Sequence, residues 1–327
     1  MAYETGVASN HIDLWDKLKS FLTANPTLVA VGQNWSVAWE AAPGAAFPTD
    51  IVLKGPGMAG DDEVFIGLRR VDAPQVQSFF IRMVGMTGVL PGGVAYNNHV
   101  NVSDNVVMFL DQNPMKYWFV ANGRRFVVVV KVSTVYETLY GGLFLPYADP
   151  TQYPYPLMVG GSAGASFDEN YNWTNTQFSH SQFITPQTNA STPPNDRGSL
   201  YFLDPSAQWV AADNKDRTSS IQSSAGVAPY HWLGGLGTHL SASNNVGYPT
   251  LLDRTLGCLG GSFALQPVTL VQRQPTDQTY GVFHGVYQVS GNGNPAENII
   301  EMDGVDHLVV QNVWRTTPNS YWALALE

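Results

Sequence analysis

Ser162 is the residue whose surroundings most suggest chemistry. It sits at the centre of Gly160-Gly161-Ser162-Ala163-Gly164, the G-x-S-x-G spacing of a nucleophile elbow. In that motif a strained strand-to-helix turn exposes the serine, and an acid and a histidine complete the triad. Residues 157–159 suit a strand, and Asp253 or Asp303 followed by His307 satisfies the chain order. The segment that should be a helix is ASFDEN followed by YNWTN, a poor helix former. The spacing therefore reads as a Gly-Ser loop. Gly55-Pro56-Gly57-Met58-Ala59-Gly60 matches the dinucleotide fingerprint G-x-G-x-x-G, which must open a helix whose N-terminus holds a pyrophosphate. Here Asp61-Asp62-Glu63 follows, which would repel phosphate, and the next element has strand character. It reads as a turn.

Asp61, Asp62 and Glu63 are the oxygen ligands a hard cation takes. Consecutive side chains diverge, so a solvated turn is the simpler reading. The seven histidines, His11, His99, His180, His231, His239, His284 and His307, show no HxH or HExxH spacing. His231 and His239, eight apart in a Gly-rich loop, are the one pair the spacing leaves open. Cys258 is the single cysteine, which excludes an internal disulfide and a cysteine zinc site. No catalytic residue, cofactor or metal is expected.

The elements that surround these residues are mostly strands. Residues 117–121 and 124–132 flank Asn122-Gly123, a pair suited to the positive φ angles of a type I′ hairpin turn. Phe126 to Val130 is an unbroken apolar run that wants cover on both faces, in a sandwich or at a subunit interface. After it Pro146, Pro150, Pro154 and Pro156 alternate with Tyr147, Tyr153 and Tyr155, predicting an extended arm with rings to bury. Residues 10–24 are the one convincing helix. Ile12, Trp15, Leu18 and Leu22, with Leu14 and Phe21, form its stripe, Ser9 or Asn10 its cap, and Asn25-Pro26 its stop. That stripe is expected to dock on the chain's own sheet. Further strands are predicted at 35–40, 51–54, 63–69, 79–83, 106–110, 201–203, 209–211, 263–271, 280–289, 298–302, 305–314 and 321–326. Asp303-Gly304 marks a second hairpin in a C-terminal meander.

The expected fold is mainly β, with β-sandwich-like sheets, one N-terminal α-helix and long ordered loops. Its stretches are a helical segment at 1–26, a β domain at 27–160, a loop-rich region at 161–226 and a β region at 227–327. The last can be continuous with 27–160. The loop-rich region is Gly, Ser, Asn and Pro but carries Phe167, Tyr171, Trp173, Phe178 and Phe183. These five rings are the candidate subunit interface, because aromatics anchor interfaces and a flexible linker rarely contains so many.

Of the 327 residues only 13% are charged, about half the usual share of roughly 25%. A charge-poor surface fits polar β turns and also a surface covered by neighbouring subunits, where charge would be desolvated. A net charge of −10 with 16 Lys and Arg argues against gripping nucleic acid. The opening residues lack a secretory signal, and no run approaches the roughly 20 apolar residues of a membrane span.

Three stretches carry a family likeness. ANGRRFVVVVKVSTVYE followed by LPYADPTQYPYPL resembles a family of tailed-bacteriophage and prophage virion proteins. So do the opening MAYETGVASNHIDLWDKLKSFLTANPTLVAVGQNW and the ending AENIIEMDGVDHLVVQNVWRTTPNSYWALALE. The resemblance implies a structural, non-enzymatic component of the particle's tail or baseplate, located in the virion and made in the host bacterial cytoplasm. Its implied partners are copies of itself and other tail, baseplate or neck proteins, in copies that are a multiple of three. The alternative is a receptor- or glycan-binding module at the tail tip, drawing on nine Trp and fifteen Tyr. Such modules are typically longer and repetitive, and this chain shows no repeat.

Overall fold

A computed structural model describes residues 1–42, 44–45, 49–57, 62–76, 78–93, 95–164, 182–184, 199–212, 227–230, 262–272, 278–313 and 321–327. The fold is mainly β, as expected, in three antiparallel sheets. The first sheet orders β1 (Ala2–Ala8), β7 (Met115–Ala121), β8 (Arg125–Val132), β9 (Val135–Leu143), β11 (Leu157–Gly160), β13 (Leu200–Leu203) and β14 (Trp209–Ala211). The second orders β12 (Ala163–Gly164), β6 (Val106–Leu110), β5 (Ser78–Met86), β4 (Val64–Ala73), β3 (Ile51–Gly55) and β2 (Ser36–Glu40). The third orders β15 (Val227–Tyr230), β16 (Gln266–Gln272), β17 (Gln278–Val289), β20 (Tyr321–Ala325), β19 (Val305–Gln311) and β18 (Ile299–Met302). Strand β10 (Leu145–Pro146) pairs with β17 beside that path. Helices α1 (His11–Ala24) and α2 (Pro26–Ala30) follow β1.

The apolar run of β8 explains the layering. Phe126, Val128 and Val130 enter one core with Ile51, Leu53, Ile66, Leu68, Ile81 and Met83 of the second sheet. Val127 and Val129, pointing the other way, enter another with Phe283, Val286, Leu308, Val310, Trp322 and Leu324 of the third sheet. The first sheet is therefore the middle layer, and the chain covers both of its faces itself. Residues from 27–160 and from 227–327 share the second core.

Two short passages carry the chain between layers. After β9 it leaves the first sheet to place β10 against β17, and Gly161-Ser162 steps from β11 to β12 in the second sheet. The proline arm between β10 and β11 pins both cores. Tyr153 belongs to the second core and donates its hydroxyl to Leu203 O, while Tyr155 packs on the first and donates to Glu63 O at 2.7 Å. Tyr147, expected to bury, is 63% exposed at the arm's start, before the alternation that points rings inward begins.

The predicted helix is present as α1, and it docks on the chain's own first core through Leu14, Trp15, Leu18, Phe21 and Leu22. Asn10 caps it, its Oδ1 accepting from the Ile12 and Asp13 amides at 2.9 Å each. Ile12 is not in the buried stripe. It is 44% exposed, because the buried set 11, 14, 15, 18, 21, 22 places His11 at the position facing in. His11 Nε2 lies 2.8 Å from Asp72, and its ring packs on Phe79 in a tilted arrangement with centroids 4.4 Å apart. Asn25 ends α1 and caps α2, a short helix that sequence periodicity did not predict. Strand β1 was not predicted either.

The hairpin β7–β8 exists, but its turn differs from expectation. Ala121 pairs with Phe126, and Asn122 N donates to Arg125 O at 2.9 Å, so Gly123-Arg124 are the central residues. Neither Asn122 nor Gly123 has a positive φ. The Asn122 side chain instead organises the turn, its Oδ1 accepting from the Arg124 and Arg125 amides at 2.9 and 3.0 Å. Gly123 is required by proximity, since a Cβ there would lie 2.2 Å from Gly57 O. By contrast Asp303 (φ 54°) and Gly304 (φ 79°) form the expected two-residue turn between β18 and β19. The predicted meander is β18, β19 and β20.

Candidate functional site

Ser162 is not an exposed nucleophile. It is fully buried, its Oγ accepts from Thr138 N at 2.8 Å, and its amide donates to Val107 O at 2.8 Å. It thus supplies the hydrogen bonds of a strand passing between two sheets. His307 lies on β19 beside Leu308, which faces the second core, so its ring points to the opposite face, where it meets Tyr287 at 5.1 Å. Asp303 sits in the adjacent turn. Serine and histidine are on different layers, and Asp253 lies outside the described residues.

Gly55 and Gly57 belong to the β3–β4 hairpin, where Gly55 pairs with Val64, and no helix follows. Asp62 binds Arg124 Nε at 2.5 Å and Glu63 binds Lys54 at 2.5 Å, so these two carboxylates are matched to cations of the chain itself. Among the described residues no three His, Cys, Asp or Glu converge as metal ligands. His99 Nδ1 accepts from Leu90 N at 3.2 Å beside Trp39. Asp61, Cys258, His180, His231 and His239 lie outside the described residues.

Of the five interface candidates, Phe167, Tyr171, Trp173 and Phe178 also lie outside the described residues. Phe183 is a correction. It is fully buried in the chain's own second core, 5.5 Å from Trp322, 5.8 Å from Tyr140 and 6.0 Å from Phe283. The neighbouring Gln182 holds it there, donating to Tyr136 O at 2.7 Å and Gln311 O at 2.9 Å. A ring enclosed this way offers nothing to a partner. Trp15, Trp35, Trp118 and Trp322 are likewise buried, so none of them forms a sugar-stacking platform.

The most developed polar cluster centres on Glu297. Lys116 of β7 and Lys131 of β8 face each other in the hairpin register, a like-charge pair that alone would repel. Glu297, in the loop before β18, answers both, accepting from Lys116 at 2.7 Å, Lys131 at 2.5 Å and the Tyr136 hydroxyl at 2.8 Å. It clamps the third sheet to the first. The signal that could have revealed it was the mirrored lysines, which require an acid from elsewhere in the chain. Burial opposes ionisation of Glu297, but the hydrogen bonds from Lys116, Lys131 and Tyr136 prevail and bring its pKa down to about 2.

A depressed carboxylate stabilises the fold above its unfolded pKa and loses that contribution as pH falls through the folded one. Glu297→Gln should therefore cost about 1–2 kcal/mol at neutral pH, given the partial exposure of both lysines. The gap in Tm between variant and native chain should close between pH 4.5 and 2. A gap that stays constant over that range would assign the cost to packing.

The remaining surface feature is the outer edge of β1. Seven consecutive pairs join it to β7 without a register break, and its other edge bears no strand among the described residues. Tyr3 is 49% exposed and Val7 62%, with Ile12 close by in sequence. The strand contains no Lys, Pro or bulge, devices that block an edge, and its one charge, Glu4, is engaged by the Tyr117 hydroxyl at 2.8 Å. Family models and curated proteins contain no match to this chain. No helix among the described residues is long and apolar enough to cross a membrane.

Proposed function

We propose that this chain is a structural component of a tailed-phage particle, in its tail or baseplate, and that it works by packing against copies of itself and other virion proteins. The observation that carries this reading is the unblocked edge of β1. The middle sheet is filled on both faces at β8, whereas its outer strand β1 leaves Tyr3, Thr5 and Val7 of one face exposed beside the open edge. A strand added at β1 would continue the middle sheet and cover Tyr3 and Val7. Head-to-tail contacts of this kind close into rings when the rotation permits, as a tail requires. The family-like opening, middle and end supply β1 and α1, β8 with the proline arm, and the meander.

Tyr3→Lys combined with Val7→Lys places two charges on this edge. Both residues are exposed, so stability of the isolated chain should change by no more than roughly 0.5 kcal/mol. Incorporation into particles should fall at least tenfold in a complementation assay read by mass spectrometry. Normal incorporation would remove the β1 edge from the contact. Cryo-EM of the assembled particle tests the wider reading, which requires the chain to lie among tail or baseplate subunits. Finding it only as a distal tip surrounded by solvent would overturn that reading in favour of receptor binding.

A further inference from the structure

Arg125 opens β8 and is fully buried. Phe126 next to it enters the core against the second sheet, so Arg125 points the other way, towards the third sheet. Its Nη2 makes one weak contact, 3.3 Å from Met1 Sδ, while Nε and Nη1 are buried without any hydrogen-bond partner. Among the described residues no carboxylate lies within ion-pair distance of it. A guanidinium cannot shed its charge by deprotonating, so a buried and unpaired one is unfavourable without a counter-charge.

The one carboxylate that acts on it among the described residues is Glu327, which stands beyond ion-pair distance. Gly285 of β17 presses close: its φ is +71°, and a Cβ there would stand 2.4 Å from Arg125 Nη2. The preceding residue, His284, has a buried Nδ1 with no partner. Burial, and then the charge of Arg125, push the His284 pKa down to about 3, so this imidazole is neutral at pH 7. The other groups near enough to influence Arg125 are Tyr140, Glu327 and Tyr287.

We propose that Arg125 and His284 hold a small monovalent anion, halide- or formate-sized, at the seam between the first and third sheets. One unpaired guanidinium calls for a single negative charge, and the buried Nδ1 of His284 offers a second polar contact. The closeness of Gly285 and Met1 restricts the ligand to a few atoms.

The test compares sodium chloride, sodium formate and sodium gluconate at matched ionic strength on the intact chain at pH 7. Chloride and formate should raise Tm by roughly 2–4 °C and saturate, whereas gluconate, too large to enter, should not. A rise with chloride alone would assign the site to halides, and with formate alone to carboxylates. Equal behaviour in all three salts overturns the proposal. Arg125→Met should abolish the anion-specific increment, and retention of the increment in that variant also overturns it. Should Arg125→Met fail to fold, native crystals soaked in bromide decide: an anomalous peak beside Arg125 and His284 is expected, and its absence at saturating bromide overturns the halide site. Formate is read there by the same native crystals as difference density at the guanidinium.

Discussion

Replacing Trp322 with Ala should cost about 3–5 kcal/mol, among the largest losses expected from truncating a described side chain. The ring is fully buried in β20, in the core between the first and third sheets. Two losses combine. One is the cavity left against Phe183, 5.5 Å away. The other is the donor, because Trp322 Nε1 gives its hydrogen to Gln182 Oε1 at 2.5 Å. Gln182 Nε2 in turn donates to Tyr136 O and Gln311 O, so its Oε1 has the indole as its one side-chain donor among the described residues. Thermal denaturation should show Tm falling by roughly 8–15 °C. Trp322→Phe keeps most of the apolar volume and removes only the donor, so about 1–2 kcal/mol is expected from the unsatisfied Gln182 oxygen. Equal losses in the two variants would mean that the hydrogen bond, not the volume, dominates. A loss under about 1 kcal/mol for Ala would show that this ring does not close the core.

Gly142→Ala should be about as damaging for a different reason. Gly142 sits in β9, in the middle of the first sheet, paired with Arg125 on one side and Met158 on the other. Its φ is +135°, a region that residues with a Cβ avoid, and a Cβ would lie 2.3 Å from Arg124 O and 2.5 Å from Arg125 Cα. Backbone in a central sheet has little room to withdraw. Strain and overpacking together should cost about 3–5 kcal/mol. Gly141→Ala is the control. Its Cβ would meet Phe126 Cζ at 2.9 Å and Met83 Sδ at 3.0 Å, the ends of side chains, and its φ is not positive. That variant should lose only about 1–2 kcal/mol. Chemical denaturation gives both values, and equal losses would refute the backbone argument.

How far these features could be read from the residues depends on what each signal measures. The apolar run of β8 announced a strand covered on both faces, and Asp303-Gly304 announced its turn, because a positive φ and an unbroken run are local properties. Strand β1 was hidden because an edge strand buries little. Only Ala2 and Ala8 of its seven residues are buried, so AYETGVA has no apolar pattern to display. Ile12 and His11 exchanged roles because the helical stripe was drawn through the apolar residue, while the helix buries a histidine that has Asp72 as partner. Arg124 and Arg125 are neighbours in sequence with separate fates in the fold. Alternation along a strand sends consecutive side chains to opposite faces, so one ion-pairs with Asp62 and the other is enclosed. The burial of Phe183 is invisible in the sequence for a related reason. Composition around it said loop, and composition carries no information about which distant strands a loop lies across.

The two-faced burial of β8 has a consequence for how the chain finds its fold. In most strands a slip of one residue sends the apolar set to solvent, and this penalty sets the alignment. In β8, Phe126 to Val130 would remain buried after such a slip, with the occupants of the two cores merely exchanged. Hydrophobicity is therefore nearly blind to alignment here. The information has to reside at the strand's ends: the Asn122 side chain that gathers the Arg124 and Arg125 amides, and the lysine pair that Glu297 neutralises. A middle layer encoded this way is robust once formed and error-prone while forming, so the polar residues at its margins act as proofreaders of an otherwise permissive interior.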